Sequence, residues 1–500
     1  MTFEENLVKR VNSHLQILPF LIALLIFDNS VLCPAAVAVA GTVQLSPGAN
    51  IQTAVAANPA GTHFILNAGT YRMQNVQPKN YDTFTGEGTV VLNGSQVLSF
   101  ASDPSNKQLW VANATYTSEA RGVCDSTHPL CIQDQDLFID SVLQTPATSS
   151  EGLKPGSWYF DTARNNVYLP INPAGHLVEL GMQTFAFSGL ATGVQISNLT
   201  VEKYTTPAEE GAIGGDGSGV GWLVNKVECR FNHGTGTMLG SDSELSNSFI
   251  HNNGETGIKF GGLNGVVSTN EISWNNYAGY DQEVEAGGSK FSATTNLLVE
   301  SNYVHDNNGK GLWTDTNNVG TLYENNEVIN NAGVGIQHEV SYAAIIRDNV
   351  VKGNTAAPTT WVGNAQIRIN NSPNVEVYGN TVEASALGGD GIAIVNESRG
   401  SGSLGPWVAT NDYVHSNTII YLGTEGVSGY EDDGGGDTSK SNLFDYNEYV
   451  FSGTNKRWRW EGGETWATLQ ALGQEEHGTC CGVVQTTRDQ SPIRKAFREP

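Results

Sequence analysis

A motif of asparagine, one variable residue and an apolar residue recurs through the second half of the chain and limits its fold more than any other feature. Its asparagines are Asn247, Asn270, Asn302, Asn326, Asn349, Asn380 and Asn417. The shortest steps are 24 and 23 residues, from Asn302 to Asn326 and on to Asn349. A period in the low twenties, with short Val- and Ile-containing runs between Gly and Asn turns, is typical of one coil of a parallel β-helix.

The recurrent asparagine is predicted to be structural. Asparagine adopts left-handed turn conformations, and stacked side-chain amides can hydrogen-bond from coil to coil. Longer steps between motifs indicate loops inserted into the same coil. Leucine-rich repeats share this period, but they need regularly placed leucines, and here Val and Ile dominate. The motif region is assigned to residues 191–454.

The 500 residues exceed one compact two-layer domain, which leaves two or three domains or one solenoid with attachments. The presence of 57 glycines favours the solenoid. Residues 1–40 are predicted to be a signal peptide, because Lys9 and Arg10 precede the apolar run Leu15–Phe27 and the segment ends in Ala38-Val39-Ala40. The protein is therefore expected to be secreted or on the cell surface; a retained membrane anchor is the alternative.

Residues 41–98 are predicted to form an N-terminal cap and the first coils. Ser46–Val55 has the pattern of a capping helix, Thr62–Leu66 of a strand, and Asn67–Tyr71 of a turn. Residues 99–190 break the repeat and are assigned to an inserted antiparallel β subdomain, with strands near Trp158–Asp161 and Asn166–Pro170.

The C-terminal part is divided into a cap at residues 455–479 and a loose tail at 480–500. The cap rests on a cluster of large side chains: Trp458, Trp460, Trp466, Leu469 and Leu472. Cys124 and Cys131 bracket a short loop and are a candidate disulfide in an exported protein. Cys229 lies in a strand-like stretch and is expected to be a buried apolar residue.

The capping segment, the Gly-Thr-Tyr sequence at Gly69–Tyr71 and the repeats together resemble the pectate-lyase-like proteins. The resemblance covers roughly residues 41–453 apart from the insert. It implies an all-β fold, a right-handed parallel β-helix. Members of that superfamily include polysaccharide lyases, glycoside hydrolases, sugar epimerases, pectin esterases and phage tailspikes, so the fold by itself does not select a reaction.

Charge narrows the possible partners. Lys and Arg number 26 against 51 acidic residues, a formal net charge of -25. Such a surface repels nucleic acid and anionic membranes, because no basic stripe is present to displace counterions. It also disfavours an anionic polysaccharide unless calcium or a local basic patch intervenes. The expected partner is a polysaccharide or oligosaccharide. Binding to nucleic acid, or to a membrane after signal cleavage, is not expected. The protein is expected to be a monomer.

The strands that follow each Gly turn predict two outward-facing columns, since alternate residues of a strand face opposite sides. The first column contains Lys259, Asp281, Trp313, Gln337 and Arg368. The second contains Glu283, Asp315, Glu339 and Asn370. A slip of one residue would move every one of them to the other face. His338 points inward in this register and is expected to be a core histidine.

The second column is the candidate catalytic site. Carboxylates on consecutive coils, about 4.8 Å apart, repel each other unless they bind a cation or share protons. A separation of about 5 Å suits a retaining glycosidase, and about 6.5–9.5 Å an inverting one. Asp315 and Glu339 fit the first and Glu283 with Glu339 the second. The substrate-binding candidates are Trp313, Arg368, Lys259, Asp281, Asn370 and Gln337. The plainer interpretation is a solvated acidic face.

Three functions are compatible with these residues. The leading one is a polysaccharide-degrading glycoside hydrolase with paired carboxylates. The second is a polysaccharide lyase or uronate epimerase, with calcium held by the acidic column and Lys259 or Arg368 as the base. The third is a non-enzymatic glycan-binding or adhesive solenoid. The glycoside hydrolase reaction requires no cofactor, although calcium is possible. The acidic segment Glu425–Asp437 could be a calcium loop, but a solvated Gly-rich loop is the stronger interpretation.

Overall fold

The computed structural model describes residues 40–355, 362–451 and 457–482. The predicted signal segment, apart from Ala40, and residues 483–500 lie outside the described residues. In the described ranges, no helix has the length and apolar character needed to cross a membrane. The chain forms a right-handed parallel β-helix with an inserted β subdomain and a cap at each end, as the repeat predicts.

Sheet A is the longer of the two parallel sheets and has 22 strands. Its strands are Thr42–Leu45, His63–Arg72, Thr83–Asn93, Gln195–Glu202, Leu223–Arg230, Glu244–Ser246, Phe249–His251, Val266–Ser268, Glu271–Ser273, Leu298–Glu300, Tyr303–His305, Thr321–Glu324, Glu327–Ile329, Ala344–Arg347, Val350–Lys352, Val375–Tyr378, Thr381–Ala384, Tyr413–His415, Thr418–Tyr421, Leu443–Asp445, Glu448–Phe451 and Thr479–Gly482. Most coils contribute two short strands to it, separated by a bend.

Sheet B closes the other side of the solenoid and has 12 strands. They are Phe187–Ser188, Gly211–Gly214, Thr235–Leu239, Thr256–Leu263, Gly287–Thr295, Leu312–Asp315, Ile336–Glu339, Ala365–Asn370, Asp390–Glu397, Ser428–Asp433, Trp458–Trp460 and Gly463–Glu464. The core between the sheets is a continuous stack of aliphatic and aromatic side chains, as in the stacked pair Phe64 and Phe84.

A ladder of asparagine side chains runs along the interior at the bend in sheet A. Asn326 shows the pattern: its Nδ2 donates to Asn349 Oδ1 at 3.0 Å and to Val299 O at 2.9 Å, and its Oδ1 accepts from the backbone and side chain of Asn302. The members are Asn270, Asn302, Asn326, Asn349, Asn380, Asn417 and Asn447. The predicted amide stacking is therefore confirmed.

A second ladder occupies the corner between sheets A and B. Its members are Asn232, Asn253, Asn275, Asn307, Asn331, Asn354 and Gln366. Glycines face it across the coil, because a Cβ on Gly335 would lie 2.7 Å from Asn354 Nδ2 and one on Gly288 would lie 3.0 Å from Asn307 Nδ2. The repeated Gly turn is thus imposed by close packing against the amides.

One detail of the motif differs from the prediction. The left-handed residue is the one before each ladder position, as at Asn325 and Asn330, rather than the ladder asparagine itself. Asn247 is such a preceding residue, and Ser248 takes the inward position on that coil. The physical reason is that a ladder side chain must point inward to reach its neighbours, so the sharp turn is made just before it.

The N-terminal cap is helix α1, Ile51–Ala57, with Asn50 as N-cap. It covers the first coil as predicted, with Ile51 and Val55 buried. The predicted turn at Asn67–Tyr71 is wrong, because His63–Arg72 is one strand with an irregularity between Asn67 and Gly69. That irregularity absorbs the glycine without ending the strand.

The inserted subdomain contains two small sheets. Their strands are Ser95–Val97, Leu137–Ile139, Val142–Leu143 and Val178–Gly181 in one, and Ala101–Ser102, Trp110–Asn113, Thr145–Ala147, Ser157–Asp161 and Asn166–Leu169 in the other. Their pairings are antiparallel except between Thr145–Ala147 and Ser157–Asp161. Glu179 anchors the insert to the solenoid through a buried contact of 2.6 Å to Lys203 and a half-buried one of 2.6 Å to Arg72.

The predicted disulfide joins Cys124 to Cys131, and Cys229 is buried and free.

Helix α2, Trp466–Ala471, closes the C-terminal end, with Trp466 against Trp458 and Leu469 buried. Leu472 is exposed, so its predicted place in this cluster is wrong. The solenoid also continues into the predicted tail, since Thr479–Gly482 pairs with Glu448–Phe451. A short hairpin, Ser401–Gly402 with Gly405–Pro406, and a 3-10 turn, Ser439–Ser441, complete the elements.

Replacing Asn326 by Ala should destabilise the protein by about 2–4 kcal/mol, because several buried donors and acceptors lose their partner at once. Urea unfolding followed by circular dichroism measures the change. The matched control is Asn330→Gly, an exposed left-handed position that glycine accepts, where the midpoint should stay near that of the parent. Equal effects of the two substitutions would contradict the structural role of the ladder.

Glu475 ends the first ladder, accepting from Asn447 Nδ2 at 2.7 Å and Tyr449 OH at 2.9 Å. Burial raises the pKa of Glu475 to about 7. The folded protein therefore holds a proton that the unfolded chain releases near pH 4.5, so this contribution to stability is full below that pH and is lost as pH rises to about 7. The loss should be about 3 kcal/mol. Urea midpoints at pH 5 and pH 8 should differ less in Glu475→Gln than in the parent, whereas Glu476→Gln, an exposed neighbour, should leave the difference unchanged.

Candidate functional site

The outward face of sheet B carries the predicted columns for three consecutive coils. Trp313 is the register partner of Gln337, which is the partner of Arg368. Asp315 is the partner of Glu339, which is the partner of Asn370. The register prediction is therefore confirmed for these six residues, and their catalytic and binding roles stay predictions.

The register prediction is wrong for Asp281 and Glu283. The strand between those of Lys259 and Trp313 is Gly287–Thr295, which places Lys290 next to Lys259 in the first column. Asp281 and Glu283 lie in the loop before that strand. The insert holds this loop, because Asp281 N donates to Val123 O at 2.9 Å beside the disulfide. Sequence alignment failed here because the coil contains an inserted loop, and Gly279 resembles the turn glycine that Gly287 supplies.

Glu339 is the most constrained carboxylate on this face. Its Oε2 accepts from Trp313 Nε1 at 3.1 Å and from Gln337 Nε2, and its Oε1 accepts from Arg399 at 2.7 Å and Asn370 Nδ2 at 3.3 Å. Burial by itself would raise the pKa of Glu339, but the charges of Arg399 and Arg368 outweigh it and hold the pKa below its ordinary value. Glu339 is therefore a charged, oriented carboxylate.

Asp315 belongs to a line of alternating charges. Lys290 Nζ lies 2.9 Å from Asp315 Oδ2 and 2.9 Å from Glu285 Oε1, and the other oxygen of Glu285 lies 2.7 Å from Lys259. Burial lowers the pKa of Lys290, but Asp315 and Glu285 outweigh it and raise the pKa above its ordinary value. The like-charge repulsion expected of a carboxylate column is thus relieved by lysines from neighbouring coils.

Trp313 does not offer an open ring face. It is 2% exposed, and the ammonium groups of Lys290 and Lys310 lie 4.1 Å and 4.2 Å from its ring centre. The predicted role of Trp313 as a flat platform for a sugar ring is therefore wrong in this structure. Cation–π contacts with both lysines and the hydrogen bond to Glu339 make it a support for the charged groups.

Two buried acceptor atoms beside Glu339 lack a hydrogen-bond partner in the part of the chain that the structure describes. They are Gln337 Oε1 and Asn370 Oδ1, on residues 2% and 1% exposed. Both residues donate an amide N–H to Glu339, so their oxygens are directed elsewhere. Unsatisfied buried acceptors raise the free energy of the folded state, so this part of the face is held at a cost in stability.

Several charged residues of this face were missed by sequence reasoning. Glu285 lies in the inserted loop and Lys290 in the strand after it, whose register the motif did not give. Lys310 lies in the Gly turn before the strand Leu312–Asp315. Arg399 contacts Glu339 at 2.7 Å and Glu397 at 3.1 Å from the segment next to the hairpin Ser401–Pro406. Arg399 lies two residues beyond the sheet B strand Asp390–Glu397, outside the columns that strand alternation gives. Lys290 was detectable from the pattern Gly287-Gly288-Ser289-Lys290, which matches the start of a sheet B strand.

His338 is a neutral core histidine, as predicted. It is fully buried, with Nδ1 2.7 Å from Thr314 Oγ1 and Nε2 2.5 Å from Tyr342 O, and burial lowers its pKa to about 4. The acidic segment Glu425–Asp437 contains the sheet B strand Ser428–Asp433. Among the described residues, no group of three or more His, Cys, Asp or Glu side chains is arranged to hold a metal ion.

Comparison with known proteins supports the fold. Residues 211–372 match the family model for a right-handed β-helix region. A search of curated proteins found no match. The structure of XylC in complex with xylose has 16% identity and a TM-score of 0.66, covering 86% of this chain and 82% of that chain.

Two other similar structures align less closely. A glycoside hydrolase has 9% identity and a TM-score of 0.45, covering 87% of this chain and 99% of that one. The A-module of mannuronan C-5 epimerase AlgE6 from Azotobacter vinelandii has 12% identity and a TM-score of 0.46, covering 88% and 95%. The likeness to XylC, with a TM-score of 0.66 at 16% identity, shows a shared fold, and a shared fold does not select a reaction.

Replacing Lys290 by Met should destabilise the protein by about 3–5 kcal/mol, because Glu285 and Asp315 would keep their charges without their shared partner. Urea unfolding measures the change. Lys226→Met, on an exposed lysine, should shift the free energy of unfolding by less than about 0.5 kcal/mol. A similarly small effect at Lys290 would mean that the line of charges does not stabilise the site.

Proposed function

We propose that this protein is a carbohydrate-active enzyme, and more specifically a glycoside hydrolase whose paired carboxylates are Asp315 and Glu339. The observation that carries the proposal is their register pairing on adjacent strands of sheet B. Adjacent strands are about 4.8 Å apart, so two carboxyl groups on one face can approach the separation of about 5 Å found in retaining glycosidases.

The chemistry follows from the two carboxyl groups. In a retaining mechanism, one attacks the anomeric carbon as a carboxylate while the other protonates the departing oxygen, and the second then removes a proton from the water that releases the sugar. The order of these roles in Asp315 and Glu339 is left to experiment. Gln337 and Asn370 are proposed to bind sugar hydroxyls after their side chains turn toward the groove, because their amide oxygens are enclosed in this structure.

The structurally similar protein XylC suggests which glycans to test first. XylC was solved with xylose, so xylosides and xylan stand first in a panel of neutral glycosides and polysaccharides. We further propose that the protein is exported and acts as a monomer without a required cofactor. The disulfide between Cys124 and Cys131 supports an oxidising compartment.

Asp315→Asn and Glu339→Gln should each lower kcat by about 10³-fold or more on the best substrate, because each removes one half of the acid–base and nucleophile pair. Asp348→Asn is the control, since Asp348 is exposed on a corner of sheet A. Glu283→Gln should retain most activity, because Glu283 is exposed outside the column and contacts only Lys310 among the charged groups described. Circular dichroism confirms that each variant is folded.

Rescue by azide assigns the order of the two roles. Glycine in place of the nucleophile should yield the glycosyl azide of inverted configuration, and glycine in place of the acid–base residue the azide of retained configuration. Release of the inverted sugar by the parent enzyme would contradict the retaining pair. Undiminished turnover in both carboxylate variants would overturn the assignment of this site.

A second candidate is a polysaccharide lyase or uronate epimerase. The observation that favours it is a concentration of cations, Lys259, Lys290, Lys310, Arg368 and Arg399, on one face of an acidic protein. Such a group could receive a uronate carboxylate. Alginate and pectate belong in the substrate panel for this reason. A product with the ultraviolet absorbance of an unsaturated uronide would show that the reaction is an elimination and not a hydrolysis. Binding without turnover would favour the non-enzymatic glycan-binding solenoid.

A further inference from the structure

The corner beside the second asparagine ladder has a strict backbone requirement. The residue before each of the six asparagines of this ladder has a φ between 48° and 67°, in the left-handed region. These residues are Phe231, Asn252, Trp274, Asp306, Asn330 and Gly353. Asn, Asp and Gly are the residue types that accept this conformation most readily, whereas bulky side chains are strained in it. The aromatic residues at this corner therefore need a separate explanation.

Phe231 has such an explanation inside the molecule. Its ring packs edge to face with Phe138 of the inserted subdomain, with centroids 5.8 Å apart. Trp274 does not pack against the insert in this way. It is 45% exposed, and its recorded ring contact within the described residues is with His305, edge-on at 5.0 Å. Strain retained at an exposed side chain points to a role in recognition rather than in folding.

The surroundings of Trp274 are built from fixed rings and hydrogen-bonding groups. Tyr303 stacks on His305 at 4.1 Å, and Glu271 Oε1 lies 3.1 Å from His305 Nε2, so the neighbouring rings are held in place. Asn252 and Asp306 occupy the same corner position on the coils before and after Trp274. An exposed indole is thus flanked on both sides by short polar side chains.

We propose that Trp274 is the centre of a second carbohydrate-binding surface, which takes a neutral polysaccharide. The apolar face of a pyranose ring can stack on the indole, while its hydroxyls donate to Asp306 and Asn252 on either side. Glu271, Asp306 and the net charge of -25 disfavour a polyanionic chain or an anionic membrane. The surface lies at the corner after the sheet A strand Glu271–Ser273, whereas Asp315 and Glu339 are on sheet B. It does not require the proposed hydrolysis.

The test is Trp274→Asn, which introduces the residue type that the backbone prefers. The probes are xylan, cellulose, mixed-linkage β-glucan and galactomannan, used in affinity electrophoresis or as insoluble pellets. The parent should bind at least one of them, and Trp274→Asn should weaken that binding at least tenfold. Its urea midpoint should be equal to or higher than that of the parent, because the strain is removed. Turnover of small soluble glycosides by the parent, if present, should be unchanged, which separates this surface from the catalytic proposal.

Phe231→Asn is the matched control at the same corner. It should lower the urea midpoint through loss of the contact with Phe138 and leave polysaccharide binding unchanged. Three results would overturn the proposal: binding of none of the polysaccharides by the parent, unchanged binding in Trp274→Asn, or a lower urea midpoint in Trp274→Asn. A change of mass in sedimentation equilibrium between the parent and Trp274→Asn would instead assign the surface to self-association.

Discussion

The amide ladders are the interaction on which the rest of the structure depends. Within each ladder, an asparagine donates to the ladder residue of the next coil and also to a backbone carbonyl, as Asn302 does with Asn326 and Val267. Parallel strands stacked without such a constraint could slide along their length. A buried donor in the ladder loses its partners if a coil shifts, so the ladders fix the height and the register of the coils that they join.

Fixed register is what turns a repeated sequence into a chemical surface. Because Asp315 and Glu339 sit at equivalent strand positions, the ladders bring them side by side although 24 residues separate their strands. Lysines and arginines that alternate with the carboxylates offset their electrostatic repulsion, above all Lys290 and Arg399. The chain has about twice as many acidic as basic residues, so a concentration of lysines and arginines on one face distinguishes that face from the rest of the surface.

At each corner, one residue points into the core and the residue before it points outward. The inward residue of most corners is a ladder amide, with Ser248 as an exception. The left-handed residue before it projects outward and can vary within the limits that its backbone conformation sets. Phe231 uses this freedom to hold the insert, and Trp274 presents an aromatic ring to solvent. Trp313 shows the opposite arrangement, since its indole is enclosed by two ammonium groups and supports charges instead of a ligand. Exposure, which composition does not reveal, separates these two tryptophans.

The sequence by itself determined the fold, the repeat, both caps, the loop disulfide and the pairing of Asp315 with Glu339, because a motif with a constant period fixes which residues face outward on neighbouring coils. Only the tertiary structure decided which coil follows Lys259, since the loop before Gly287 interrupts the period and carried Asp281 and Glu283 out of the columns. It alone also brought Arg399 to Glu339, from the loop that follows the sheet B strand Asp390–Glu397. Local periodicity encodes contacts between equivalent positions, whereas contacts made by inserted loops depend on where packing places them.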